Sequence, residues 1–462
     1  MPIRDAKKTW TPIALATAAC LVISGAVSFA DSGVTLSGIV KDSAGKPVKH
    51  ATVMVYHAGV KTGYSTFCPS CYSDCGKRAI TDAHGTFTIE GLRPDLWFEL
   101  LMAGEGYEPT FVNKVIPSAD APVTATLGRR QRVSDPSRLF RGRVEDSHGV
   151  PLRDAVVQPN GALFDAKTGT SLYGAIPGMD PIAISNKDGD LEIAYLPSAK
   201  LAAEVNAGRM PPAFAQLPVK ILVSVDARAF APAFAVVPAG AQLHTITVAE
   251  GATVRGRLVE GGKPVGGAEV GLVGRPRGGY KGNLQMIGYP YDEMRIGTQP
   301  DGTFAVTNVP APADWNVYGK MESLATRGAT GAIECTTKHD GEIVDLGDIQ
   351  VKPAYHLRGK VVLSDGKPIP EGMRVTISSE RSGDSQTGVL SPDGSFEFLG
   401  LAAGDYTVFA STKGYALPDV SVSFKGKDGK LATRYRPALT APLSIDRDVN
   451  NFLIKLYPQN NA

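Results

Sequence analysis

Leu36-Ser37-Gly38-Ile39-Val40-Lys41-Asp42-Ser43-Ala44-Gly45-Lys46-Pro47 is the stretch on which the fold turns, because it returns three more times. The copies are Phe140-x-Gly142-x-Val144 with Gly149-Val150-Pro151, Val254-x-Gly256-x-Leu258 with Gly262-Lys263-Pro264, and Leu357-x-Gly359-x-Val361 with Gly366-Lys367-Pro368. In each, apolar residues alternate around a glycine, the period of a half-buried strand. Asp42 through Gly45 then supply turn chemistry, with a glycine free to take positive φ. The copies recur about every 100 residues, the size of a small domain and not of a solenoid unit.

A second pattern follows in every copy, a polar turn ending in glycine before large alternating apolar residues. It reads Asp82-Ala83-His84-Gly85 with Phe87 and Ile89, Asn186-Lys187-Asp188-Gly189 with Leu191 and Ile193, Gln299-Pro300-Asp301-Gly302 with Phe304 and Val306, and Ser391-Pro392-Asp393-Gly394 with Phe396 and Phe398. Such turns between alternating runs predict hairpins. Trp97, Trp315 and Tyr406 stand at matching places in a third strand and are expected as core aromatics. The fourth copy carries Gly372 and one extra residue before Val375, which predicts a bulge. About seven short strands per copy, with no sustained helical periodicity, predict an all-β chain: a tandem array of four β-sandwich domains. The boundaries read from the repeats are 31–133, 134–249, 250–352 and 353–462.

Residues 1–30 read as a signal peptide. Arg4, Lys7 and Lys8 precede an apolar run from Pro12 to Val27, and Ser28-Phe29-Ala30 offers small residues for cleavage. Past Ala30 no apolar run reaches the ~18 residues of a spanning helix. The expected location is secreted, periplasmic or at the cell surface, with no transmembrane segment in the mature chain. The formal net charge is +2, which argues against nucleic acid as a partner. The one basic cluster, Arg129, Arg130, Arg132, Arg138, Arg141 and Arg143, is expected to be solvated or to guard strand edges.

The repeats resemble the carboxypeptidase regulatory-like domain, a transthyretin-like (prealbumin-like) seven-stranded sandwich among the carbohydrate-binding-like folds. The likeness is closest in the first copy, through Gly38, Val40, Asp42, Gly45, Pro47, Ala51, Val53, Asp82, Gly85, Phe87, Ile89, Gly91 and Leu92. The resemblance implies modules that accompany zinc carboxypeptidases and occur in bacterial surface proteins; sugar binding follows from it only by analogy of fold.

No catalytic constellation is legible. The peptidase's zinc site needs His-x-x-Glu and a distant third histidine; His339-Asp340-Gly341-Glu342 has the spacing but sits in an Asp-Gly turn, with His356 close behind. Asn186, Asp188, Asp190 and Glu192 form an acidic tip that lacks a full calcium ligand set. Cys68, Cys71 and Cys75 form the one reactive cluster, in an insert of the first domain. A disulfide, Cys68 or Cys71 with Cys75, is the leading expectation in an oxidising compartment. A zinc or copper site with His84, or a redox-active thiol, is the alternative; otherwise no cofactor is expected. The third domain's insert gathers Arg275, Arg277, Tyr280, Tyr289 and Tyr291, the composition of an adaptable contact surface. The functional expectation is a non-enzymatic binding or structural protein whose loops meet a polysaccharide or an envelope protein. A true carbohydrate-binding protein and a metal or redox protein are the alternatives.

Overall fold

A computed structural model describes residues 33–62, 72–118, 121–197, 199–210, 212–275, 293–425, 431–438 and 440–459. The chain is all-β, and its first repeat shows the plan. Seven strands follow one another: β1 (Val34–Asp42), β2 (Thr52–Val60), β3 (Arg78–Ile80), β4 (Thr86–Leu92), β5 (Leu96–Ala103), β6 (Thr110–Val115) and β7 (Val123–Leu127). They form two sheets, ordered β4-β1-β7 and β3-β2-β5-β6. β1 pairs antiparallel with β4 and parallel with β7.

The other repeats reproduce this plan. Leu139–Glu145 lies between Asp190–Ala194 and a parallel Leu243–Thr247; Ala252–Glu260 between Thr303–Val309 and a parallel Ile343–Gln350; Tyr355–Leu363 between Ser395–Leu401 and a parallel Val449–Pro458. The facing sheets are built on Val156–Asp165, Glu269–Gly274 and Arg374–Ser379. Four large apolar clusters fill the spaces between the sheets, one per repeat. Among the described residues two short α-helices interrupt the β-structure, Ala199–Asn206 and Met321–Leu324. The fourth repeat adds a hairpin, Asp419–Lys425 with Leu431–Pro437.

The glycines of both motifs have steric reasons. Gly38, Gly256 and Gly359 lie beneath the rings of Phe87, Phe304 and Phe396, where a Cβ would come within 2.6, 3.0 and 2.4 Å of the ring. Gly85, Gly189, Gly302 and Gly394 all have positive φ, and a Cβ there would meet the carbonyl oxygen of Val40, Val144, Leu258 or Val361 at 2.2–2.5 Å. Each of those four residues donates its own N–H back to the turn glycine's carbonyl, at 2.8–2.9 Å.

Three expectations are corrected. The polar turns do not close hairpins: Asp82–Gly85 joins β3 to β4, which belong to opposite sheets, and the other three turns do likewise. An Asp-Gly signal specifies the local turn but not which sheet receives the next strand. Gly372 makes no bulge; it has φ +74° in a turn, and Arg374–Ser379 pairs without a shift. Its counterparts are His50, Asp154 and Gly267, all at positive φ. Trp97 is only half-buried, whereas Leu96 and Phe98 on either side are fully buried. Phe98 therefore takes the inward place in the first repeat, one residue from where the alignment of aromatics put it.

Candidate functional site

Most sequence-predicted contact residues, Arg277, Tyr280, Tyr289 and Tyr291, lie outside the described residues, as do Cys68 and Cys71. Cys75 is buried in the first core, and His84 is exposed at its turn tip, donating its backbone N–H to Asp82. Among the described residues no three His, Cys, Asp or Glu side chains are placed to hold a metal. His339 and Glu342 sit in an exposed turn, and Glu342 accepts the N–H of Lys338 instead. Trp315 is fully buried and donates its indole N–H to Thr337 at 3.1 Å. Tyr406 is buried, its hydroxyl bonded to the Ala402 carbonyl. Cys335 lies beside Trp315, and burial pushes its thiol up to about 11.

Most arginines of the basic cluster are paired within the chain. Arg130 pairs with Asp180 at 2.7 Å, Arg141 with Glu192 at 3.0 Å, Arg143 with Asp190 at 2.6 Å and Arg129 with Asp42 at 3.2 Å. The acidic tip residues Asp190 and Glu192 thus serve as partners for arginines on the neighbouring strand.

What the structure does bring together are the surfaces between sandwiches. On the outer face of the β2–β5 sheet, Met54, Tyr56, Leu101 and Phe111 pack with Val156, Ile182 and Ile184 of the second repeat. Arg78 bonds Asp154 across this seam, and the Tyr56 hydroxyl donates to Asp226 at 3.2 Å. Asp180, whose partner Arg130 follows β7, extends the contact.

The third repeat presents the same face to the fourth, with different chemistry. Met54 and Leu101, cross-strand partners in the first repeat, are replaced by Gly271 and Tyr318. Lys320, 7% exposed, places Nζ 2.9 Å from Glu293 and 2.6 Å from Asp384 of the fourth repeat, itself 2% exposed. Asp384 also accepts the N–H of Met321 at 2.8 Å, and the Tyr318 hydroxyl donates to Glu293. Met321 then inserts into the fourth repeat's own core. Gly400, at φ +74°, allows this approach: a Cβ there would come 2.8 Å from the Ala325 Cα. Around the rim, Glu334 holds both Arg275 and Arg381, at 2.8 and 2.6 Å.

Burial alone would lower Lys320, but Asp384 and Glu293 outweigh it and hold the ammonium above its ordinary range. Burial likewise raises Glu293, yet the hydrogen bonds from Lys320 and Tyr318 leave it below the usual glutamate value. Glu269, 6% exposed on the same face, is pushed up by burial. The sequence signal for this seam is the strand Ala313–Gly319, buried on both faces nearly throughout, as strands covered on two sides are. The partners themselves are too far apart in sequence to be read.

Residues 35–128 and 356–431 match the carboxypeptidase regulatory-like domain. These matches fall in the first and fourth repeats, and the second and third share the first repeat's pairing of their first strands. No curated protein matches the chain. Solved structures similar to it include the Bacillus anthracis TIE protein, at 10% identity over 92% of this chain and 74% of that one, TM-score 0.17. A streptococcal ancillary pilin is 13% identical over 70% of this chain and 99% of the pilin, TM-score 0.22. BcpA, the major pilin subunit of Bacillus cereus, is 10% identical over 92% of this chain and all of that one, TM-score 0.17.

Proposed function

We propose that this protein is a non-enzymatic structural and binding module, exported to the cell envelope, in which four sandwich domains at 31–133, 134–249, 250–352 and 353–462 present loops to a polysaccharide or protein partner. The observation that carries the reading is the use of the chain. Four times over, the strands are spent on closing a sandwich core, and the charged groups of the seams are spent on joining one sandwich to the next. Contact work then falls to the inserts, because loops on a rigid scaffold are free to vary. Arg275 supports the third insert as the contact surface, since its ion pair with Glu334 fixes the insert's first residue beside the third–fourth seam.

Capture of envelope polysaccharides and envelope proteins by the purified chain tests this. Tyr289→Ala with Tyr291→Ala is expected to lose the captured partner while Trp315 fluorescence stays native. Capture undiminished in that variant removes the insert from the binding surface. A chain that captures neither class of partner defeats the binding half of the proposal. For the alternative centred on Cys68, Cys71 and Cys75, thiol titration and elemental analysis of the exported chain decide: a disulfide leaves no bound zinc or copper.

A further inference from the structure

One non-local feature that recurs in all four repeats is the parallel pairing of each repeat's first strand with its last. β1 runs beside β7 from Gly38–Val123 to Asp42–Leu127. The second repeat pairs Arg141–Leu243 through Glu145–Thr247, the third Thr253–Ile343 through Val259–Gln350, and the fourth Leu357–Val449 through Leu363–Leu456. Chain therefore enters every sandwich at one end of a parallel pair and leaves at the other. Residues 248–251 and 351–354 then carry it directly into the next first strand.

This geometry fixes how tension would act. A pull along the chain draws the first strand backward and the last strand forward, so the strands must slide past each other. Parallel ladder bonds are evenly spaced along the pair, and sliding strains all of them together. Had the last strand been antiparallel to the first, the same pull would open the pair from one end, a bond at a time. The remaining strands of each sandwich lie outside this direct path.

Side chains add fasteners across the same pairs. Arg255 bonds Asp345 at 2.9 Å and Arg257 bonds Asp348 at 2.8 Å between the third repeat's first and last strands. In the fourth, Arg358 donates to Asn450 at 3.3 Å, and Asp448 accepts the His356 N–H at 3.0 Å. In the first, Arg129, just past β7, reaches Asp42 at the end of β1. Exposed ion pairs add little to equilibrium stability, but these span the two strands that tension would separate.

We propose that the protein is a load-bearing tether, each sandwich resisting extension through shear of its parallel first–last strand pair. The proposal rests on the reading of a non-enzymatic connector for its place in the cell, but its mechanical content requires no ligand. Failure of partner capture and failure under load are thus separate results.

Single-molecule stretching of the full chain decides it, with two pulling geometries on the same fourth sandwich. In one, handles are attached at position 354 and at the C-terminus, which loads Tyr355–Leu363 and Val449–Pro458 in shear. In the other, handles at position 367 and the C-terminus pull both strands from their shared end and peel them apart. The folded protein is equivalent in both, so equilibrium stability cancels from the comparison, and forced rupture reports the barrier to unfolding. The expected result is a rupture force roughly twofold or more higher in shear than in peel, since many bonds must break together in one and few in the other. Equal forces, or a weaker shear geometry, would overturn the proposal. Near-equilibrium melting of variants carrying each handle confirms that neither attachment has unfolded the sandwich; where position 367 destabilises it, position 364 supplies the same pulling direction.

Discussion

Thr81, Ser185 and Thr298 show how a single buried hydroxyl is tied to the length of a turn. Each side-chain oxygen accepts a backbone N–H, from Ala51, Ala155 and Ala268, at 2.8–3.0 Å, and donates to the carbonyl of Val48, Leu152 or Val265. The fourth repeat has buried Leu390 at this place, whose N–H bonds the Met373 carbonyl. Its turn is one residue longer, and the Met373 N–H finds the Pro370 carbonyl at 3.2 Å instead. Thr81→Val keeps the shape and orphans the Ala51 N–H, so it should cost about 1–3 kcal/mol, read from denaturant unfolding of the first sandwich. A loss indistinguishable from zero would show that water takes the hydroxyl's place. Gly85→Ala meets both a left-handed backbone, worth roughly 1–2 kcal/mol, and the Val40 carbonyl 2.4 Å from the new Cβ. It should unfold the first sandwich at distinctly lower denaturant than an alanine at Gly45, where nothing lies within 4 Å. The repeated glycines were legible in the sequence because they are spaced by the fold itself. The hydroxyl was not, since a threonine before a polar turn looks like any other turn residue.

Among elements, the strands were legible and their destinations less so. Alternation around Gly38 and its copies gives β1 and its counterparts directly, because one face of each is buried. The turn at Asp82 was equally plain, yet period and turn type are local quantities, and crossing between sheets is decided by which core the next strand completes. The aromatic of the third strand was misplaced in the first repeat for a related reason: Trp97 and Phe98 are both large and apolar, and only the register against β2 tells which faces inward. The Lys320–Glu293–Asp384 group escaped sequence reading altogether. Lys320→Ala leaves two carboxylates without their shared cation in a buried site and should cost about 3–5 kcal/mol. Lys320→Met with Asp384→Leu removes charge from both sides of the seam and should recover much of it, because paired apolar groups of similar volume often substitute without loss. A double variant no more stable than Lys320→Ala would mean that the unpaired Glu293, together with the Met321 N–H that Asp384 no longer accepts, carries the cost.

Across the whole molecule, the same sheet face docks the first sandwich to the second around an apolar cluster rimmed by ion pairs and the third to the fourth around a buried charged group, and pH separates the two designs. Trp97 and Trp315 are the only tryptophans after residue 30; the first reports the first sandwich, and the second sits in the third core. Burial raises Glu269, so its contribution is fully present below the unfolded value of about 4.3 and is lost as pH rises through the folded one. Glu293 is lowered by Lys320 and Tyr318 against the pull of burial, so its contribution is present above about 4.3 and is lost as pH falls through the folded value. Both are in full effect only near the ordinary glutamate range. Glu269→Gln keeps the shape and removes the ionisation that burial penalises. The variant should therefore gain stability over the parent as pH rises above about 4.3, in the unfolding transition seen by Trp315 in a Trp97→Phe background. The transition seen by Trp97 in a Trp315→Phe background should not move, because Glu269 lies on the face that the third sandwich turns to the fourth and is no part of the first seam. A gain of the same size at every pH would trace the effect to packing and not to the proton, and a gain shared by Trp97 would show that the two docked pairs unfold as one body.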